Sequence, residues 1–298
     1  MRIATHSVSE TIVRQIQQLG TQQSRLQNQV ATGQRIFQPE DDPSAVSRVL
    51  KLETEARQLA QFARNGDRAL EISQATFSGL RSLKAVSDRA TEIGTLGSGA
   101  NSADGLKAYA IEVDQLIEQA LQLGNTRLGN DSLYAGTAVD AAPFVATRDG
   151  NGRIATITYA GNSDRSAIPL SVTSTVTPGT DGATNSGLRD FLQHLVALRD
   201  SLEAGDRAAL TTAQEGLIDS EDLLVSALGE HGGVQSRIEA ARTQQVELQL
   251  SLESLVSGET DADLPSTIVK LTQSQTAYQA ALQSAANIMR LSLLDYIK

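Results

Sequence analysis

Along residues 12–33 the apolar or small positions Ile12, Ile16, Leu19, Leu26, Val30 and Gly33 alternate in steps of four and three, with Gln23 in the one missing place. That is the seam of a helix built to pack lengthwise against another helix. The other end of the chain has the same pattern through Leu264, Ile268, Leu271, Gln275, Tyr278, Leu282, Ala285 and Met289. A third stripe runs Val234, Ile238, Ala241, Gln245, Leu248, Leu252 and Leu255, and a fourth Leu106, Tyr109, Val113, Leu116, Ala120 and Leu123. Pro39 interrupts the first run, and Asp42 before Pro43 has the form of an N-cap with proline at the first helical position. The restarted helix carries Val49, Leu52, Ala56, Leu59, Ala63 and Leu70, and is expected to end near Ile93, before Gly94, Gly97 and Gly99.

Between Leu133 and Pro178 the period changes to two. Ile154 to Tyr159 and Leu170 to Val176 read as strands, and Asp149-Gly150-Asn151-Gly152 supplies a hairpin turn between Phe144-Val145-Ala146-Thr147 and Arg153-Ile154. Helix resumes at about Leu188. The predicted fold is mainly α, an elongated helical bundle or coiled coil made by the N- and C-terminal segments, with a small β-rich insert in the middle. The expected segments are 1–40, an N-terminal coiled-coil helix; 41–132, the first part of a helical rod; 133–183, the insert; 184–257, the second part of the rod; and 258–298, a C-terminal coiled-coil helix.

Composition narrows the chemistry. The 298 residues include no Cys, which removes disulfides, zinc thiolates and thiol nucleophiles, and only five Phe and five Tyr, too few aromatics for one thick core. With 35 acidic against 25 basic residues the net charge is -10, unsuited to binding a phosphate backbone, so no nucleic-acid partner is expected. The acid excess is confined to residues 91–260, and both ends are balanced or slightly basic. No apolar run reaches the length of a membrane span, and the start lacks the greasy stretch of a cleaved leader, so neither membrane insertion nor a Sec signal is expected.

Candidate sites are sparse. His6, His194 and His231 lie in separate elements without ligand spacing, and His194 reads as a side chain at the edge of a helical stripe. Asp149 and Asn151 open like a calcium loop, but Arg153 and Ile154 occupy its next key places, so a hairpin turn is the expectation. No glycine-rich loop follows a strand with a phosphate-cradling lysine. Glu40-Asp41-Asp42 reads as favourable charge at a helix start. No catalytic, cofactor or metal residue is assigned. Seven glutamines between Gln15 and Gln29 leave the first stripe narrow, so its helix needs a partner surface. Either the two chain ends pair within one molecule, or neighbouring subunits complete the core; both can hold, and the narrow stripes predict a monomer whose ends order on assembly.

Several segments resemble the bacterial flagellin superfamily. They are Leu26-Gln27-Asn28-Gln29-Val30-Ala31-Thr32-Gly33-Gln34-Arg35-Ile36 followed by Glu40-Asp41-Asp42-Pro43-Ser44-Ala45; Asn65-Gly66-Asp67-Arg68-Ala69-Leu70; Leu133-Tyr134-Ala135-Gly136-Thr137 with Pro143-Phe144; and Gly232-Gly233-Val234-Gln235-Ser236-Arg237-Ile238-Glu239. The C-terminal Leu271-Thr272-Gln273-Ser274-Gln275-Thr276-Ala277-Tyr278-Gln279-Ala280-Ala281-Leu282, ending Leu291-Ser292-Leu293-Leu294-Asp295-Tyr296-Ile297, is similar to the hook–filament junction branch of that superfamily.

The resemblance implies a structural, non-enzymatic flagellar component, extracellular at the hook–filament junction. Its implied partners are like copies in a ring, the first hook-associated protein (FlgK), flagellin, an export chaperone and the flagellar type III export apparatus. The implied assembly residues are Ile12, Ile16, Leu19, Leu26, Val30, Leu271, Tyr278, Leu282, Met289, Leu291, Leu293 and Leu294. Filament flagellin is the neighbouring alternative, and an unrelated coiled-coil scaffold or surface protein the more distant one.

Overall fold

Heptad spacing decides the architecture of this computed structural model, which describes residues 2–100 and 102–297, with side chains over 10–287 apart from Asn101. The elements in chain order are α1 (Arg2–Thr32), α2 (Pro43–Gly99), α3 (Ala103–Gly124), β1 (Arg127–Leu128), β2 (Asp131–Ser132), β3 (Phe144–Arg148), β4 (Ile154–Tyr159), β5 (Ile168–Pro169), β6 (Thr175–Val176), α4 (Gly182–Ala204), α5 (Arg207–Thr260) and α6 (Leu264–Ile297). The fold is mainly helical, with long helices at both ends and a β-rich insert of three separate two-stranded antiparallel pairs, β1-β2, β3-β4 and β5-β6. The chain divides into a terminal unit, Met1–Arg57 with Leu248–Lys298, and a middle unit, Gln58–Glu247.

In the middle unit the buried positions of α5 step through Leu210, Ala213, Leu217, Ser220, Leu224, Ala227, His231, Val234 and Ile238, a strict three-four alternation. Leu80, Leu83 and Ile93 of α2, Val113, Ile117 and Ala120 of α3, and Phe191, Leu192, Leu195 and Leu198 of α4 close a core with the part of this run from Leu210 to Ala227. Burying each of these large side chains contributes roughly 1.5–3 kcal/mol. The β3-β4 hairpin lies on α3 and α4 and is pinned by Arg199. This buried guanidinium donates to Asp114 (2.9 Å), Asp200 (2.7 Å) and the carbonyl of Ile154 (2.7 Å), so its charge is matched.

Three expectations are corrected. α2 does not stop near Ile93 but continues through Gly94 and Gly97 to Gly99. These glycines serve close approach: a Cβ at Gly97 would lie 2.5 Å from Leu202 Cδ2, and one at Gly94 would lie 3.1 Å from Gln214. In place of the single strand expected over Leu170 to Val176, residues 170–174 turn the chain from β5 into β6, because the Ser171 hydroxyl accepts from the backbone N–H of Thr173 and Ser174 and bends the chain there. Helix resumes at Gly182, six residues before Leu188, because Asp181 caps it by accepting from Thr184 N–H at 2.6 Å. The β3-β4 turn forms where expected, with Asp149 accepting from Asn151 and Arg153 N–H and Gly152 at φ 84°.

Tyr134 reaches from the insert into α2, donates to the Thr76 carbonyl at 3.2 Å and is held un-ionised by burial, its pKa pushed above the ordinary tyrosine range. It fits because residue 79 is glycine: a Cβ there would lie 2.2 Å from the tyrosine oxygen. Gly79→Ala is therefore expected to destabilise the protein by about 1–3 kcal/mol despite alanine's better helix propensity, read as a lowered denaturation midpoint. Tyr134→Phe in the same background should recover part of that loss.

Candidate functional site: the terminal helix pair and its clasp

α1 runs for 31 residues, about 45 Å of helix, and packs along α6. Its seam side follows the sequence pattern: Ile12, Ile16, Leu19, Gln23 and Val30 are half-buried and Leu26 is buried. On α6 the covered line is Thr267, Leu271, Ser274, Tyr278, Ala281 and Ala285, again in four-three steps. Gly20 faces Tyr278, where a Cβ would lie 3.6 Å from the ring edge, so the smallest residue of α1 meets the one aromatic side chain of this seam among the described residues.

The α6 seam is thus rotated from the expected stripe. Leu271, Tyr278 and Ala285 belong to both lines, but Thr267, Ser274 and Ala281 take the intervening places. Leu264, Ile268 and Leu282 stay 41%, 49% and 43% exposed. Where the two lines differ, small residues make the intramolecular contact, and Leu264, Ile268 and Leu282 are left on the flank. Side chains of Met289, Leu291, Leu293 and Leu294 lie outside the described residues. On α5, Leu248 and Leu255 of the expected stripe are exposed, while Leu252 of that stripe and Val256 outside it are partly covered.

The two turns that join these helices to α2 and α5 are fastened to each other. Gly33, at φ 73°, ends α1 by donating its N–H to Gln29 O at 2.9 Å. Next, Arg35 N–H donates to Thr260 O and Ala262 N–H to Gly33 O, each at 2.7 Å, around a β-bridge between Gln34 and Asp261. The Arg35 guanidinium spans the joint, giving one nitrogen to the Glu259 carbonyl (2.7 Å) and another to Asp42 Oδ2 (3.1 Å). Arg48 grips the Glu259 carboxylate with both prongs, at 2.7 and 2.8 Å. Asp41 accepts from Phe37 and Gln38 N–H and pairs with Arg25.

Asp42 is the N-cap of α2, as the sequence indicates, with Oδ1 accepting from Ala45 N–H (3.0 Å) and Ser44 Oγ (2.9 Å). These bonds and Arg35 hold its pKa down to about 2, the Ala45 N–H being the largest cause. Arg48 likewise holds Glu259 below the usual glutamate range. The acidic triplet is therefore more than charge at a helix start: two of its members are bonded to specific partners in the clasp. Arg25, Arg48 and Glu259 were not legible as partners, because they lie 16 to 224 residues from the groups they bind. The acidic run Glu259-Thr260-Asp261-Ala262-Asp263, facing an Arg-bearing turn, was the available signal.

Residues 3–138 match the model of the bacterial flagellin N-terminal helical region. That stretch, α1 through the start of the insert, thus resembles the N-terminal helical region of bacterial flagellin. Over its whole length the chain is similar to the flagellar hook-associated protein 3 of Salmonella typhimurium, 26% identical with 99% of each chain covered, and to that of Escherichia coli K12, 24% identical with 100% of each covered. In fold it is similar to a flagellar hook-associated protein from Vibrio parahaemolyticus (TM-score 0.67, 18% identity, 74% of this chain and 100% of that one). FlgL of Bacillus cereus is also similar (TM-score 0.60, 19% identity, 70% and 99%).

Because the folded pKa of Asp42 lies below its unfolded value near 3.8, the cap's contribution is full above that pH and is lost as pH falls through about 2. Carboxyl NMR should give Asp42 a midpoint near 2. In Arg35→Gln that midpoint should rise only part of the way to 3.8, since the Ala45 bond remains.

Proposed function

We propose that this chain is a structural junction protein of the bacterial flagellum. It connects the hook, through the first hook-associated protein FlgK, to the flagellin filament. The observation carrying this reading is end-to-end similarity to two proteins named flagellar hook-associated protein 3, covering 99% and 100% of this chain. The terminal helix pair supports it physically. One α6 line is used within the chain, and a second, with Leu264, Ile268 and Leu282, offers apolar area to neighbouring copies. Each such side chain, once covered, favours assembly by roughly 1.5–3 kcal/mol, and repetition around a ring outweighs the ordering cost.

The work is mechanical and not catalytic: packed helices carry load between two unlike lattices. The assembly residues are Ile12, Ile16, Leu19, Leu26 and Val30 with Leu271, Tyr278, Leu282, Met289, Leu291, Leu293 and Leu294. Flagellin, like copies, an export chaperone and the type III export apparatus are the remaining partners, and the location is the outer face of the cell, at the hook–filament boundary. No helix among the described residues is long and apolar enough to cross a membrane.

Immunogold labelling of intact flagella should give a single band at the hook–filament boundary; decoration along the filament would assign the chain to flagellin instead. Leu282→Asp should abolish filament attachment and motility in a complemented deletion strain, while circular dichroism and the melting of the middle unit stay as in the parent.

A further inference from the structure

The middle unit has two apolar cores and not one. The larger takes α5 residues as far as Ala227 and Leu228 and α2 residues as far back as Ile72 and Ala75. The smaller gathers Ala69 and Leu70 of α2, Val234, Ile238 and Ala241 of α5, and Ile168, Leu170 and Val176 around β5 and β6. Between them on α5 lie Gly229, Gly232 and Gly233. A Cβ at any of the three would meet nothing within 4 Å, and none has positive φ, so neither packing nor backbone conformation calls for glycine here. Gly79, Gly97 and Gly187 are different, because each has a neighbour that would collide with a Cβ.

The facing layer is also weak. Ser73 Oγ, Thr76 Oγ1 and His231 Nδ1 are buried and have no hydrogen-bond partner within the protein. They share one level, since Gln235 Nε2 donates to Ser73 O at 3.3 Å and Lys84 pairs with Glu221, which sets α2 and α5 antiparallel with His231 opposite Thr76. Burial lowers the His231 pKa, with Glu230, Arg165 and Asp181 the charged groups around it, so the ring adds no ionic hold to this layer near neutral pH.

We infer that residues 229–233 of α5 and the Ser73–Thr76 layer of α2 form a built-in flex point at which the two cores of the middle unit move relative to each other. Glycine removes the side-chain restraint that keeps a helix rigid, and three unpaired polar atoms lower the cost of opening to water. Assembled subunits that join lattices of different geometry would use such a joint, but its existence does not depend on that role.

Hydrogen exchange on the full chain tests it. Amides of 229–236 should exchange faster than those of 217–228 and 237–245, and Gly229→Ala/Gly232→Ala/Gly233→Ala should slow that exchange on the order of a hundredfold. Ser73→Ala/Thr76→Val, which joins the cores with apolar contacts, should slow it as well, and this variant decides the matter if the alanine variant fails to fold. Uniform exchange across 217–245, or exchange unchanged in the folded variants, would overturn the inference.

Discussion

The terminal unit depends on the fastening between the turn after α1 and the turn after α5. Two backbone hydrogen bonds of 2.7 Å and the Arg35 guanidinium tie Gly33, Gln34 and Arg35 to Glu259–Ala262. Without it α1 and α6 would be two amphipathic helices with narrow stripes, and such helices are marginal when they must find each other. With it, they leave the joint side by side, and the register that sets Gly20 against Tyr278 follows from where they start. Arginine matters here because its fork serves a carbonyl and a carboxylate together, which a lysine ammonium does less directionally.

The middle unit shows glycine used in two opposite ways. At Gly79, Gly94 and Gly97 its absence of side chain admits Tyr134, Gln214 and Leu202, and the helix gains packing that outweighs its lost propensity. At Gly229, Gly232 and Gly233 nothing fills the space. The same residue tightens one stretch of helix and loosens another, and only the neighbours distinguish the cases.

How much of this was legible follows from the range of each interaction. The α1 stripe from Ile12 to Val30 was readable because a heptad is local, and so were the Asp42 cap and the hairpin at Asp149. The long reach of α2 was not, because Gly94 and Gly97 look like a stop until Leu202 and Gln214 are known to press on them. On α6 the large residues pointed to Leu264, Ile268 and Leu282, but the seam uses Thr267, Ser274 and Ala281. A hydropathy pattern marks what is apolar and does not say which partner covers it. The Arg48–Glu259 pair joins residues 211 apart, beyond any spacing rule.

The fastened turns also make the α1–α6 seam a zipper closed at one end. Bringing residues 32 and 264 together is a loop-closure problem that the clasp has already solved, so Leu26 and Leu271, close to it, meet at high effective concentration. Each step outward toward Ile12 must be won against more chain freedom than the last. Order in the pair is therefore graded along its length, and a neighbouring copy contributes most to cohesion where the clasp contributes least.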